Sequence, residues 1–257
     1  MQVTSYFEPC NLSTGDCKLR WVGLTSGKSN VGKRVGFMDA RLNEKKFKLV
    51  GGSPSLDFVN SVGGWGVNRE KKGSRNYSDT VLRDKLDSYA DLVGWANHAG
   101  LLGEYERKQL LLLAEKKPKA AALVFKRGLR LRATIYRLFK SVIEDWRAVQ
   151  ADLDYLNEEL HVARGNERLT RVEKSFRWNW NRDAEALDHV LWPLALSAAE
   201  LLASGDLSRL RQCGGEECGW LFLDTSRNRS RQWCDMKDCG NLAKVRRFRR
   251  RGQQLHS

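Results

Sequence analysis

The stretch Cys213-GGEE-Cys218-GWLFLDTSRNRSRQW-Cys234-DMKD-Cys239-GNLAKVRRFRRR decides how the chain is read. Its four cysteines form two pairs, each with four intervening residues, and fifteen residues separate the pairs. That spacing suits two knuckles closing on one ion, and four thiolates around a tetrahedral Zn²⁺ are the usual structural solution. Gly214, Gly219 and Gly240 stand beside cysteines, where a tight backbone lets amides approach the sulfurs. A pair of disulfides is the rival reading. The length of the chain, the local pairing of the cysteines and the absence of a stretch that reads as an export signal favour zinc.

Around the cysteines the charge is one-sided. Residues 225–257 hold ten Lys/Arg and only two acids, Asp235 and Asp238, in a chain of formal net charge +14. Four thiolates on one Zn²⁺ leave the centre two charges negative, so the metallated chain would carry about +12. Such a balance points to an acidic partner, nucleic acid before an anionic membrane surface. Arg227, Arg229 and Arg231 occupy every second position, which in an extended segment puts them on one side. Trp220–Leu223 reads as a strand, and a helix is expected from Cys239-Gly240-Asn241 onward. On that helix Leu242, Val245 and Phe248 fall three apart, a stripe able to cover the metal core, with Lys244, Arg246, Arg247, Arg250 and Arg251 on the remaining surface. Cations suit phosphates, and arginine can also fork onto guanine in a groove. DNA is therefore the expected partner, with RNA as the alternative. A plainer reading has these cations neutralise the metal centre, but their number exceeds that need.

These residues also carry a resemblance. The pattern C-x4-C-x-W-L-F-x-D-x-S-R-N-x-S-R-x-W-C-x-M-x-x-C-G-N-x-A-K-x-R-R-F resembles the CGNR zinc-finger family of bacterial proteins, over about Asp206 to Arg251. In that family the finger follows an ABATE domain, associated with stress-induced transcription regulation, and Phe47-KLVGGSPSLDFVNS-Val62 resembles the start of such a domain. The resemblance implies a cytoplasmic DNA-binding regulator whose Cys213, Cys218, Cys234 and Cys239 hold zinc. One departure stands out: the family reads Cys-Gly-Asn-Arg where this chain has Leu242 in place of the arginine.

The expected fold class is mainly α with a small β component. Three parts are anticipated: an extension over 1–43, an ABATE-like helical domain over 44–205 and a finger with its basic tail over 206–257. The extension shows no sustained period and holds Cys10 and Cys17; it reads either as sequence upstream of a natural start at Met38 or as a genuine poorly ordered tail. Its Gly23-LTS-Gly27-Lys28-Ser29 run has one residue too few for a phosphate loop. Phe47–Val50 reads as a short strand, followed by a helix with Ser53 as cap and Pro54 in its first turn. Asp57 and Asn60 share one face of that helix, so they either edge a small-ligand pocket or hold neighbouring backbone. Residues 63–78 read as a basic loop anchored by Trp65.

Helices are expected over Asp79–Leu102, Tyr105–Lys116, Lys119–Gln150 and Ala151–Val162. Lys119–Gln150 would be the core helix, its Arg127, Arg130, Arg137 and Lys140 facing solvent. A hairpin over Leu169–Val172 and Phe176–Trp180, turning at Glu173-Lys174-Ser175, would put Trp178 and Trp180 on one side. Those tryptophans are expected to pack on the helical core, although with Arg171, Arg177 and Arg182 they could also stack bases. Asp183–Ser204 reads as an apolar helix kinked at Pro193. The short link from Asp206 to Cys213 implies that the finger docks on the helical domain.

Two function classes are excluded or set aside. No apolar run approaches the roughly 18 residues of a membrane span. Four cysteines close the coordination shell, His98, His161, His189 and His256 are scattered, and no nucleophile elbow or His-Glu-x-x-His occurs, so no enzyme is expected. The alternatives to a regulator are a zinc-stabilised protein- or RNA-interaction module and an enzyme acting in the N-terminal domain, where carboxylates distant in sequence could converge. A sensed ligand or protein partner is assigned to the N-terminal domain, and a homodimer would give a small finger its specificity.

Overall fold

The computed structural model describes residues 47–66, 80–181 and 186–254. Readings made on the extension, on its two cysteines and glycine run, on most of the basic loop and on Arg182 fall outside these residues. The described chain is a stack of helices with two small antiparallel sheets.

Helix α1 (Pro54–Val59) starts as its sequence dictates. Ser53 is extended and its hydroxyl accepts from the Leu56 amide, and Pro54 takes the first turn, where no N–H is needed. The preceding Phe47–Val50 is irregular rather than a strand. Helix α2 runs only over Tyr89–His98. The apolar period from Leu82 suggested an earlier start, but Ser88 caps the helix by accepting from the Asp91 amide. Residues 80–86 instead lie beside the segment after α1, through isolated pairings of Val62 with Asp84 and Trp65 with Val81. Helix α3 (Glu104–Lys116) follows, with the Glu106 carboxylate closing its N-terminus on the Gly103 amide.

The central helix α4 spans Pro118–Ile143 and ends earlier than its periodicity suggests. Asp145 takes a left-handed conformation (φ 54°), and the chain restarts as α5 (Gln150–Gly165). Of the cations expected on a solvated face, Arg127 reaches Glu159 (2.8 Å) and Asp188 (3.0 Å), while Arg137 reaches Asp152. Lys140 is buried and donates to Gln212 (2.6 Å). Strands β1 (Glu167–Val172) and β2 (Ser175–Trp180) form the expected hairpin with a two-residue turn, Glu173–Lys174. Helix α6 (Trp192–Ser204) has Pro193 in its first turn, so the proline starts the helix and does not kink it.

Strands β3 (Leu210–Gln212) and β4 (Leu221–Leu223) open the cysteine-rich part, and α7 (Asn241–Gln254) closes it. One core joins both parts. Leu56, Phe58, Val59, Trp95, Leu131 and Ile135 belong to the same buried cluster as Cys213, Trp220, Leu221, Phe222 and Cys234. The expected docking is therefore present as shared burial rather than as a surface contact.

Candidate metal centre and the cationic helix above it

Strand β4 is seated on the helical part by groups that replace missing strand neighbours. The Asn60 side chain both donates to the Leu221 carbonyl (2.8 Å) and accepts from the Leu221 amide (2.9 Å), so it pairs with β4 as a strand would. The Leu223 amide donates to the Gly51 carbonyl (2.8 Å), and the Trp220 indole to the Val62 carbonyl (3.1 Å). Asp57 lies in the same corner. Its carboxylate accepts from the Gly51 amide (2.7 Å), and burial pushes its pKa up to about 6. Of the two readings of this helix face, pocket edge or backbone support, the contacts fit the second: Asp57 holds the turn that receives β4, and Asn60 holds β4 itself.

The first knuckle rests on Gly64 and Trp65. The Trp65 amide donates to the Cys218 carbonyl (2.9 Å), and a Cβ on Gly64 would lie 1.9 Å from the Glu217 carbonyl oxygen. Only glycine permits that approach. Trp65 is itself wedged. Its ring stacks on Tyr136 of α4 with centroids 3.9 Å apart, and the Tyr136 hydroxyl accepts from Gln212 in β3 (3.0 Å). The second knuckle has its own tether: Lys48 donates to Asp235 (3.0 Å) and to Asp238, which together raise its pKa, the Asp238 bond most of all.

Between the knuckles Cys213, Cys218, Cys234 and Cys239 converge, their sulfurs all within 4.8 Å of one another. The Cys218–Cys234 and Cys234–Cys239 sulfur separations are 3.6 and 3.7 Å. A disulfide would need about 2.05 Å. A tetrahedral ion with bonds near 2.3 Å sets its sulfurs about 3.8 Å apart, so the cluster fits one metal ion and not two disulfides. The Cys213 sulfur accepts from the Cys234 amide (3.3 Å) and the Gly215 amide (3.5 Å). Hydrogen bonds from the Cys218 and Cys234 thiols, with those amides, hold Cys213 far below the usual thiol range. Sharing protons with Cys213 pushes Cys218 and Cys234 up, and burial raises Cys239. A soft divalent cation would displace those remaining protons. Of the glycines near the sulfurs, the one in close contact is Gly215: a Cβ there would stand 3.3 Å from the Cys239 sulfur.

The arginine loop is not the extended segment its alternation suggested. Residues 226–229 turn, with Arg229 left-handed at φ 49°, and buried Asp224 ties the turn by accepting from the Ser226 and Arg231 amides (both 2.8 Å). Arg227 is exposed, and Arg229 reaches Ser208 (2.7 Å) and Asp206 (3.3 Å). Arg231 turns inward, donates to the carbonyls of Trp233 (2.9 Å) and Cys234, and covers the Phe222 ring at 4.4 Å. It braces the second knuckle.

Helix α7 stands on the metal cluster through a wide turn at Met236–Gly240. It contains no acid, and Lys244, Arg247 and Arg249 are exposed. Arg246 pairs with Glu216 of the first knuckle (3.0 Å). Arg250 lies on the same helix, its side chain outside the described set. The apolar stripe does not cover the metal. Leu242, Val245 and Phe248 are 56%, 47% and 80% exposed, because Trp220, Leu221 and Phe222 already fill the space beneath the cysteines. A cleft of about 890 Å³ opens over the cluster between the first knuckle, α7 and the helical part, with Arg83, Trp220, Trp233, Leu242 and Arg247 among its walls.

Sequence reasoning missed Trp65, Tyr136 and Gln212 as supports of the first knuckle. The only signal was Trp65 between glycines, since its partners lie on distant segments. Among the described residues no helix is long and apolar enough to cross a membrane. No curated protein matches the chain. Two family models do. Residues 209–252 match the CGNR zinc finger, and residues 52–205 match ABATE, described as a "putative stress-induced transcription regulator". With the longer match spanning more than half of its length, the chain belongs to the ABATE family and carries the CGNR zinc-finger pattern after that domain.

Proposed function

We propose that the protein is a cytoplasmic transcription regulator that holds one Zn²⁺ on Cys213, Cys218, Cys234 and Cys239 and binds DNA through α7. Four soft thiolates in tetrahedral arrangement select zinc among the common structural ions. The observation that carries the reading is the acid-free helix α7, with Lys244, Arg247 and Arg249 exposed and its apolar stripe open to solvent. Exposed cations on one rigid helix suit the phosphate track, and apolar side chains between them suit thymine methyl groups in the major groove. Arg246 and Arg250 lie on the same helix, and Arg227 and Arg229, in the loop that precedes it in sequence, are assigned to the same partner. Arg231 is assigned a bracing role instead. Leu242, in place of the family's arginine, offers an apolar contact where relatives have a cation.

In this reading residues 44–205 sense a ligand or protein, residues 206–257 form the nucleic-acid module, residues 1–43 belong to neither, and two copies act together to read a site long enough for specificity. RNA takes the place of DNA in the alternative reading. No reaction is proposed. The test is a titration of zinc-loaded protein against genomic DNA fragments at several salt concentrations. Binding should weaken steeply with salt, and Lys244→Ala, Arg247→Ala, Arg249→Ala together should lower the logarithmic salt slope by about three. Absence of binding at low salt would overturn the reading.

A further inference from the structure

The β1–β2 hairpin carries its apolar face outward. In the register of the pair, Leu169 stands opposite Trp178 and Arg171 opposite Phe176, so these four share one face. Leu169, Phe176 and Trp178 are 58%, 67% and 58% exposed. The opposite face, with Thr170, Val172, Arg177 and Asn179, is the half-buried one. An ordinary hairpin on a helical core does the reverse. Only Trp180, at the base, packs inward, 5.5 Å from the Trp192 ring. The packing role expected for Trp178 is therefore not the one it has.

Charge decides what such a face would meet. Arg171 stands on it and Lys174 beside it in the turn, both exposed. Arg168 is exposed on the opposite face, and the nearby acids are Glu173, exposed in the same turn, and Glu167 at the base, bonded to Arg164 (2.8 Å). A second copy would set these cations against their equivalents in a chain of net charge +14. A polyanion would be attracted, and aromatic faces beside cations are the means by which proteins hold unpaired bases. We infer that the Leu169–Arg171–Phe176–Trp178 face is a second nucleic-acid contact that stacks unpaired bases, separate from α7. The inference rests on the nucleic-acid reading of the protein.

The experiment uses full-length, zinc-loaded protein and labelled oligothymidylate, oligouridylate and a duplex of equal length. Phe176→Ala with Trp178→Ala should weaken binding to the single strands about tenfold or more and leave duplex affinity within about twofold, while Trp178→Phe with Phe176 intact keeps most of the affinity. Both side chains are exposed, so zinc content and melting temperature should stay at the wild-type values. The thymidylate and uridylate arms show whether DNA or RNA is preferred. Equal single-strand binding by the double alanine variant, or duplex binding alone by wild type, overturns this inference and leaves the α7 reading standing. Failure of wild type to bind any of the three overturns both. A wild-type dimer that the double variant converts to monomer, measured by sedimentation, would show that a second copy covers the face and would also overturn it.

Discussion

The cysteine-rich part has two halves that share a cysteine cluster and differ in everything else. Its inner half, β3, β4 and the first knuckle, is seated on the helical part, β3 against α4 and β4 against α1, and Leu221 and Phe222 are inaccessible to solvent. Its outer half, α7, is amphipathic by sequence yet leaves Leu242, Val245 and Phe248 open. The cysteine cluster does not join these halves by having α7 cover the inner one. An ion on the four cysteines would fix the direction in which α7 leaves a platform already set by the helical domain. The inner half is thus expected to govern stability and the outer half binding.

The largest effects should come from breaking the platform. Trp65→Ala removes the ring wedged between Tyr136 and the first knuckle and should cost about 3–5 kcal/mol of unfolding free energy, read by denaturant titration. Cys234→Ser should abolish stoichiometric metal binding and lower the melting temperature of the helical signal too, because Cys234 belongs to the shared core. Retention of one equivalent of zinc by that variant would contradict the site. Asn60→Ala orphans both backbone groups of Leu221 and should cost about 2–3 kcal/mol.

The outer half should answer in the opposite way. Leu242→Ala and Phe248→Ala should each change stability by less than about 0.5 kcal/mol, as exposed positions do, where a stripe covering the metal would lose several times that. A large loss would show α7 packed down on the cluster.

The contrast was only half legible in the sequence. Cysteine spacing picked out the four sulfurs that converge, and Ser53-Pro54 the start of α1, since both signals are local. The hairpin's alternation also identified its strands. Asn60 could not be read, because its partner Leu221 lies 161 positions away and a polar residue on a helix says nothing about what it meets. The period Leu242, Val245, Phe248 identified an amphipathic helix but not a cover for it, since periodicity describes one face and packing requires two. The break at Asp145 and the cap at Ser88 were hidden inside long apolar periods for the same reason: a local backbone preference overrode a pattern that continued past it.

A further effect concerns pH. The Asp57 carboxyl titrates near about 6 in the fold, against an ordinary 3.8, because burial penalises its charge. The folded state therefore holds the proton more tightly. Asp57's contribution is fully present below the ordinary pKa and is lost as pH rises through the folded one. Asp57→Asn should gain stability relative to wild type by about 1–2 kcal/mol between pH 4 and pH 7, measured as the difference in denaturation midpoints at each pH. A constant difference would show that the site does not titrate in that window.

The most direct test of the two-halves account is native-state hydrogen exchange on metal-loaded protein. The Leu221 and Leu223 amides, bonded to Asn60 and Gly51, should exchange with the slowest class, together with the buried turns of α4. Amides of Val245–Arg249 in α7 should exchange orders of magnitude faster, and removing the metal should leave Leu221 and Leu223 slower than α7. If Leu221 exchanges as fast as α7 while α4 stays protected, the inner half is not part of the helical core and the account is wrong.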